Sequence, residues 1–174
     1  MSIAVARPPR AAVDPARFRA VMAEFPTFVT VVTSAGSGGP VGCTANAVLS
    51  LSLDPPSVVV SLASRGHTVV RVLEREMFGI NVLTWRQRSL TRRFANGEPC
   101  RRFDDVPHHR RNGVPILTDA AASLVCVLER QVPVHDHTLL IGRVIEATTG
   151  PDTPALVFHR NTQHPLLQLP EDLR

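Results

Sequence analysis

Two histidines flank an aspartate at His135-Asp136-His137, and all three side chains can bind ligands. In a strand, His135 and His137 would share one face, where two imidazoles can hold a metal ion. His108 and His109 are conceivable further ligands. Because no cysteine or carboxylate spacing completes such a site, we do not expect a metal centre.

Phosphate binding is the second kind of chemistry that the residue types suggest. Hydroxyl side chains and a glycine in the segment 61–68 (Ser-Leu-Ala-Ser-Arg-Gly-His-Thr) come directly before a predicted helix. The unpaired amides and the dipole of a helix N-terminus attract a phosphate, but the same residue types also occur in an ordinary cap that binds nothing. Arg102 can add a bidentate guanidinium, whereas Arg92 and Arg93 also suit a solvated helix face.

Nucleotide-binding motifs of the common kinds are missing from the sequence. The glycine-rich stretch 36–42 lacks the Gly-Lys-Ser/Thr of a phosphate-binding loop and does not open a helix, so it predicts a hairpin turn. No Gly-x-Gly-x-x-Gly fingerprint is present either. A nicotinamide nucleotide would therefore have to lie in a shallow groove.

Length and composition favour a single globular domain. The chain has 174 residues, of which 44% are hydrophobic, and it contains no apolar run long enough to cross a bilayer. We predict a disordered arm over residues 1–12, without the apolar segment of a secretory signal, and one domain over residues 13–174. The odd number of cysteines, three at wide spacings, fits buried thiols in a reducing compartment and hence a cytoplasmic protein.

The high isoelectric point does not indicate nucleic-acid binding. The sequence pI is about 10.1, but the chain contains no lysine and no tyrosine, and its formal net charge is only +4. Arginine is always charged, which inflates the pI. The arginines are dispersed, and aromatic residues make up 5% of the chain, too few for the stacking surfaces typical of nucleic-acid-binding proteins.

Short strands separated by turn residues must position these groups. Hydrophobic patterns predict helices beginning at Asp14-Pro15 and covering residues 67–76 and 86–94, with a long polar loop over residues 96–113. The predicted strands cover residues 28–33, 41–53, 57–62, 78–83, 121–134, 137–147 and 155–160. Since antiparallel strands dominate and the helices are short connectors, we expect a mainly β protein: a closed or nearly closed barrel with helices outside.

Three segments in this order carry a family likeness. They are Gly42-Cys43-Thr44-Ala45-Asn46-Ala47 running into residues 50–56 (Ser-Leu-Ser-Leu-Asp-Pro-Pro), residues 78–83 (Phe-Gly-Ile-Asn-Val-Leu) followed by Arg93-Phe94 and Arg102-Phe103, and Asp136-His137 leading to residues 141–144 (Ile-Gly-Arg-Val). Together they resemble the short-chain flavin reductases, the reductase components of two-component flavin-dependent monooxygenases. The likeness runs from about Phe18 to about Leu167.

The resemblance implies a fold, a reaction and partners. The fold would be a split β-barrel of the Greek-key, FMN-binding type with short peripheral helices, assembled as a homodimer. The activity would be hydride transfer from NADH, with NADPH as a possible alternative, to FAD or FMN. The reduced flavin would then diffuse to a partner monooxygenase, with no role for nucleic acid or membrane.

The resemblance also implies roles for eleven residues. It assigns His137 to the nicotinamide and the following residues to the flavin: Thr44, Ala45, Asn46, Ala47, Ser61, Leu62, Ala63, Thr68, Phe94 and Arg102. Taken alone, residues 44–47 fit a plain strand with a bulge at Asn46, and Phe94 fits a plug of the barrel. The chain departs from the family pattern at Ala47, where serine is usual, and at His135, where glycine is usual. The latter puts in doubt an unusual backbone angle at position 135.

Two other functions are compatible with the same fold. The chain can be a carrier or sensor that binds flavin without turnover, although a nicotinamide contact at His137 argues against that role. It can also be a flavin oxidase of the same fold acting on a small substrate such as an amine phosphate. The absence of lysine and of an evident cationic cradle argues against the oxidase.

Overall fold

The computed structural model describes residues 11–36 and 38–167. The helices are α1 (Pro15–Met22), α2 (His67–Arg75) and α3 (Arg88–Asn96), with short 3-10 turns at Trp85–Gln87 and Pro99–Arg101. The strands are β1 (Thr27–Phe28), β2 (Thr30–Gly36), β3 (Gly39–Ala45), β4 (Val48–Leu53), β5 (Pro56–Ala63), β6 (Met77–Val82), β7 (His108–Arg111), β8 (Val114–Leu117), β9 (Ala122–Val134), β10 (His137–Thr149), β11 (Leu156–His159) and β12 (Thr162–Pro165). Residues 1–10 of the predicted arm lie outside the described residues.

Seven strands form one antiparallel sheet that curls into a split barrel, as predicted. Its order is β3-β2-β6-β9-β10-β5-β4, so that β3 and β4 are its two edges. Only Asn46 and Ala47 separate the end of β3 from the start of β4. Because two edges joined by so short a link must lie side by side, the sheet has to bend round on itself. We call this junction, residues 44–48, the seam.

The seam corrects one prediction from the sequence. A single strand over residues 41–53 is wrong: β3 pairs with β2, and β4 pairs with β5, at opposite edges of the sheet. The predicted end at residue 53 is confirmed, since β4 ends at Leu53 and the next strand, β5, begins at Pro56.

Two hydrophobic clusters hold the elements that surround the seam. One fills the barrel between α2 and the strands and includes Val32, Val72 and Phe78. The other lies under α3 and includes Val31 and Phe94. Because Val31 and Val32 point to opposite faces of β2, this strand is buried on both sides and fixes the barrel relative to α3.

The helices lie on the outside of the barrel. Asp14 caps α1 as predicted: its Oδ1 accepts hydrogen bonds from the amides of Ala16 (2.9 Å) and Arg17 (3.0 Å). On α2, Val69 and Val72 are buried, which confirms its predicted amphipathic character. In the described part of the chain, no helix combines the length and the apolar character that spanning a membrane requires.

The predicted loop over residues 96–113 is more ordered than expected. It contains the 3-10 turn Pro99–Arg101 and β7, which pairs with β8. Every residue of β7, His-His-Arg-Arg, is exposed. The strand therefore lacks the alternation of apolar and polar residues by which a sequence reveals a half-buried strand.

Candidate functional site

An open cleft of about 430 Å³ lies at the seam of the barrel. All eleven residues that the sequence singled out line it: Thr44, Ala45, Asn46, Ala47, Ser61, Leu62, Ala63, Thr68, Phe94, Arg102 and His137. They come from β3 and the seam, β5, α2, α3, the segment after Pro99–Arg101, and β10. Segments almost a hundred residues apart in the chain thus converge on one concave surface.

Small side chains and main-chain groups form the floor of the cleft. Ala45 and Ala47 flank Asn46, and Ala63 ends β5 on the other side of the seam. The amide of Ser61 donates to the carbonyl of Ala47 at 2.9 Å, which joins the two sides. On an edge strand such as β3, part of the main-chain N–H groups have no strand partner. A flat ring can therefore approach the backbone closely and accept hydrogen bonds from it.

Helix α2 points its N-terminus into the cleft without a side-chain cap. Gly66 is the N-cap residue, and no side chain bonds to the first amides of the helix. The Ser64 hydroxyl is instead paired with that of Thr138 at 2.9 Å. No serine or threonine side chain of this segment therefore caps α2, and anion binding here stays a prediction. Four amides at a helix start lack intrahelical partners. That of Gly66 donates to the carbonyl of Ala63 at 2.9 Å, so those of His67, Thr68 and Val69 are left available to an anion.

Arg102 forms one wall and is anchored by main-chain oxygens. Its Nη1 donates to Gly42 at 2.8 Å, its Nε to Gly97 at 3.0 Å and its Nη2 to Ala95 at 3.5 Å. A guanidinium has five N–H groups, so two remain for a ligand. Among the described residues, no carboxylate lies within 4.0 Å of it. Arg102 thus lines the cleft with a positive charge that no described carboxylate neutralises.

Two of the predicted flavin contacts, Thr44 and Phe94, also stabilise the fold around the cleft. The Thr44 hydroxyl donates to the carbonyl of Thr91 on α3 at 2.7 Å and so ties β3 to the helix. Phe94 is fully buried and packs edge-on against Phe103, with ring centroids 5.0 Å apart. The interpretation of Phe94 as a plug of the barrel fits this burial better than a ring-covering role.

His137 begins β10 and lies opposite Ala63 of β5 in the strand register. Its Nδ1 is 2.8 Å from Oδ1 of Asp136. Asp136 is exposed, and its hydrogen bond with His137 lowers the pKa of the carboxyl below its ordinary value. A carboxylate on Nδ1 holds the ring orientation and leaves Nε2 as the free nitrogen.

His135 does not share a strand face with His137, as the sequence had suggested. It occupies the turn between β9 and β10 with a left-handed φ of 53°. The unusual backbone angle is thus present although the glycine is not, at a conformational cost of order 1 kcal/mol. No group of three His, Cys, Asp or Glu side chains in the described segments is arranged to hold a metal ion.

Further residues line the cleft that the sequence-based assignment did not include: Cys43, Gly66, His67, Val69 and Ala95. Cys43, Gly66 and His67 lie within the segments that prompted the prediction, so adjacency was an available signal. Ala95 carried none. Burial raises the pKa of the Cys43 thiol, although a hydrogen bond with Thr68 opposes the shift. This thiol is therefore not set up as a nucleophile.

Comparison with known proteins agrees with this architecture. The flavin reductase like domain family matches residues 22–167. The chain is 36% identical over 165 residues to an NADH-dependent flavin reductase of a Rhodococcus species, covering 92% of this chain and 91% of the relative. It is 34% identical over 151 residues to the reductase component of 4-nitrophenol 4-monooxygenase/4-nitrocatechol 2-monooxygenase of Rhodococcus opacus, covering 87% and 81%.

A solved structure shows the same fold. The NADH:FAD oxidoreductase of Streptomyces globisporus C-1027, in complex with NAD and FAD fragments, superposes with a TM-score of 0.82 at 32% identity, covering 95% of this chain and all of that one. The fold and the cleft define a split-barrel flavin-binding protein. The chain belongs to the flavin reductase family.

Proposed function

We propose that this protein catalyses the reduction of FAD or FMN by NADH and releases the reduced flavin to a separate monooxygenase. The observation that carries the proposal is the convergence of eleven residues from distant segments on one open cleft at the barrel seam. Relatives named as NADH-dependent flavin reductases and monooxygenase reductase components support it.

The residues of the cleft supply binding and orientation rather than acid–base chemistry. The isoalloxazine ring, when bound, accepts a hydride from the nicotinamide, so the rings themselves carry the electronic change. The main-chain amides of residues 44–47 would hold the flavin and donate to its carbonyls, where negative charge gathers on reduction. Arg102 and the uncapped start of α2 would hold the phosphate. His137 would position the nicotinamide, with its ring held by Asp136.

The openness of the cleft fits a protein that releases both ligands. The floor residues Asn46, Ala47 and Ala63 are exposed, and no described segment closes over them as a lid. An enclosed pocket would retain the reduced flavin, whereas an open one allows exchange in each cycle.

A steady-state assay tests the proposal directly. Purified protein is mixed with NADH, and NADH oxidation is followed by absorbance with FAD, with FMN and without flavin. We expect oxidation that depends on added flavin. Stoichiometric flavin that stays bound through gel filtration, without NADH oxidation, would instead indicate a carrier.

We also propose a homodimer that works in the cytoplasm. On the edge strand β4, which has a register shift between Ser50 and Ser52, Leu49, Leu51 and Leu53 form an apolar row and are 54%, 50% and 87% exposed. Exposed apolar rows of this kind are typical of interaction surfaces. The three cysteines are free thiols, as expected in a reducing compartment. Light scattering that gave a monomer mass at micromolar concentration would exclude the dimer.

A further inference from the structure

A second cavity, of about 590 Å³, adjoins the flavin cleft. Its walls come from residues 38–41 at the β2–β3 turn, from α2, and from the segment around Cys100. His67, the first residue of α2, lines both the cavity and the cleft. The two spaces therefore meet at the N-terminus of α2.

Two further elements run from one space into the other. Strand β3 contributes Val41 to the cavity and Cys43 to the cleft. The segment after α3 contributes Cys100 to the cavity and Arg102 to the cleft. Between them, Arg102 Nη1 bonds to the carbonyl of Gly42 at 2.8 Å. The cavity and the cleft are thus two parts of one groove with a shared wall on each side.

Charge divides this groove into two environments. At the junction, the Arg102 guanidinium, which has no carboxylate partner among the described residues, and the uncapped start of α2 line the same cleft, a combination that favours phosphate. Beyond the junction, Glu98, Asp104 and Arg71 line the cavity. Two of these charges are already paired, Arg71 with Glu74 at 2.6 Å and Asp104 with Arg101 at 3.2 Å. The cavity therefore suits an uncharged group rich in hydrogen-bonding atoms.

We infer that the cavity receives the adenosine half of FAD and that the protein prefers FAD to FMN. This inference rests on the proposed function, because it takes the cleft as the site of the flavin ring. In FAD a pyrophosphate separates the riboflavin from the adenosine. The riboflavin would lie in the cleft, the pyrophosphate at the cationic junction and the adenosine in the cavity. Along β3, residues 40 and 44 are about 13 Å apart at 3.3 Å per residue, a span that a dinucleotide bridges. FMN ends at its single phosphate and leaves the cavity empty.

Carboxylates and a free ring nitrogen supply groups for a nucleoside. Glu98 and Asp104 can accept hydrogen bonds from ribose hydroxyls or from the adenine amino group. His108 uses Nδ1 on the carbonyl of Val106 at 2.8 Å, which leaves Nε2 free. Neither His137 nor any residue of β5 or β10 lines the cavity. For these reasons we assign the adenosine to the flavin rather than to NADH.

Thiol labelling tests the inference without relying on activity. Cys100 is exposed and lines the cavity, whereas Cys43 is half-buried and lines only the cleft. Each cysteine is labelled with maleimide in the presence of FAD, FMN, NADH or AMP. The rate of labelling is followed by mass spectrometry. At ten times its Kd, FAD should slow the labelling of Cys100 about tenfold, while saturating FMN should protect Cys43 alone. AMP at high concentration should protect Cys100 and weaken FAD binding but not FMN binding.

A blocking substitution gives a second test. A Cβ at Gly38 would meet no atom within 4 Å, so Gly38→Trp places a large ring at the cavity wall without a clash. We expect the ratio of KM for FAD to KM for FMN to rise about tenfold, equivalent to about 1.4 kcal/mol. Val70→Trp adds the same ring at an exposed position of α2 that lines neither space, and it should leave the ratio unchanged.

The outcomes separate this inference from the proposed function. If FAD and FMN protect Cys100 equally, if NADH alone protects it, or if Gly38→Trp changes both KM values alike, the adenosine assignment is wrong while the flavin reductase assignment stands. If neither flavin protects Cys43 and no flavin-dependent NADH oxidation occurs, the proposed function fails and the inference fails with it.

Discussion

Arg102 donates a hydrogen bond from Nη1 to the main-chain oxygen of Gly42 at 2.8 Å, across 60 residues of sequence. With its bond to Gly97 at 3.0 Å, the side chain joins the end of α3 to an edge strand of the barrel. The same guanidinium faces the cleft. Arg102 thus both holds the walls of the flavin cleft together and supplies its positive charge.

Substitution of Arg102 should separate these two contributions. Lysine keeps the charge but lacks the planar fork, whereas alanine removes both. We expect Arg102→Ala to raise the Kd for FMN about tenfold or more and Arg102→Lys to raise it less. Fluorescence titration with FMN and with riboflavin, which has no phosphate, measures the effect. If both ligands lose affinity equally in both variants, the charge does not contact the phosphate.

His137→Ala should affect NADH more than flavin. The side chain stands beside Ala63 at the end of the cleft, where the proposed role is to position the nicotinamide. We expect KM for NADH to rise about tenfold with less than about a twofold change in KM for flavin. His135→Gly is the matched control, because it alters the same turn and relieves the positive φ. Equal changes in both KM values would mean that His137 acts only on the structure.

The pKa of Asp136 should report its pairing with His137. The hydrogen bond at 2.8 Å lowers the pKa of this carboxyl in the folded protein. The pairing therefore stabilises the fold at pH values above about 3.9, the ordinary value for the unfolded chain, and is lost as the pH falls through the lower folded pKa. In His137→Ala, an NMR titration should find the Asp136 pKa raised towards the ordinary value. An unchanged pKa would contradict the pairing in solution.

Gly142→Ala should destabilise the barrel. A Cβ at this position of β10 would lie 2.7 Å from Cε1 of Phe78 and 2.9 Å from Cβ of Cys126, both fully buried. Overpacking of this kind typically costs about 1–3 kcal/mol. Urea denaturation should show a lower midpoint at an unchanged m-value. Gly38→Ala, where the new Cβ has open space, should leave the midpoint nearly unchanged.

The sequence predicted most of the elements but not where the sheet divides. Residues with high β-propensity lie on both sides of Ala45-Asn46-Ala47, and neither glycine nor proline marks Asn46 and Ala47, so the pattern predicts one strand with at most a bulge at Asn46. The break exists because β3 and β4 pair with different strands, β2 and β5. Such pairing depends on contacts across the whole chain, which local patterns do not contain. Strand β7 was missed for a different reason, since its four polar residues show no periodicity.

The candidate site was predicted through the ordered set of three motifs rather than through local chemistry. The segment 61–68 alone was ambiguous between a cap and an anion site, and only the structure shows that Gly66 leaves α2 uncapped. Likewise, the sequence cannot show that Arg102 spends three of its donors on main-chain oxygens. Those contacts depend on the approach of α3 to β3.

Because the cleft lies at the seam, ligand binding is coupled to folding of the whole sheet. Residues 44–47, 61–68 and His137 meet only after the whole sheet has formed and bent, so no partly folded chain can offer a complete cleft. A ligand that binds only the native state stabilises it by RT ln(1 + [L]/Kd). The resistance of this protein to unfolding should therefore rise when oxidised flavin is abundant and fall when the reduced product departs, which couples its lifetime in the cell to the supply of its own substrate.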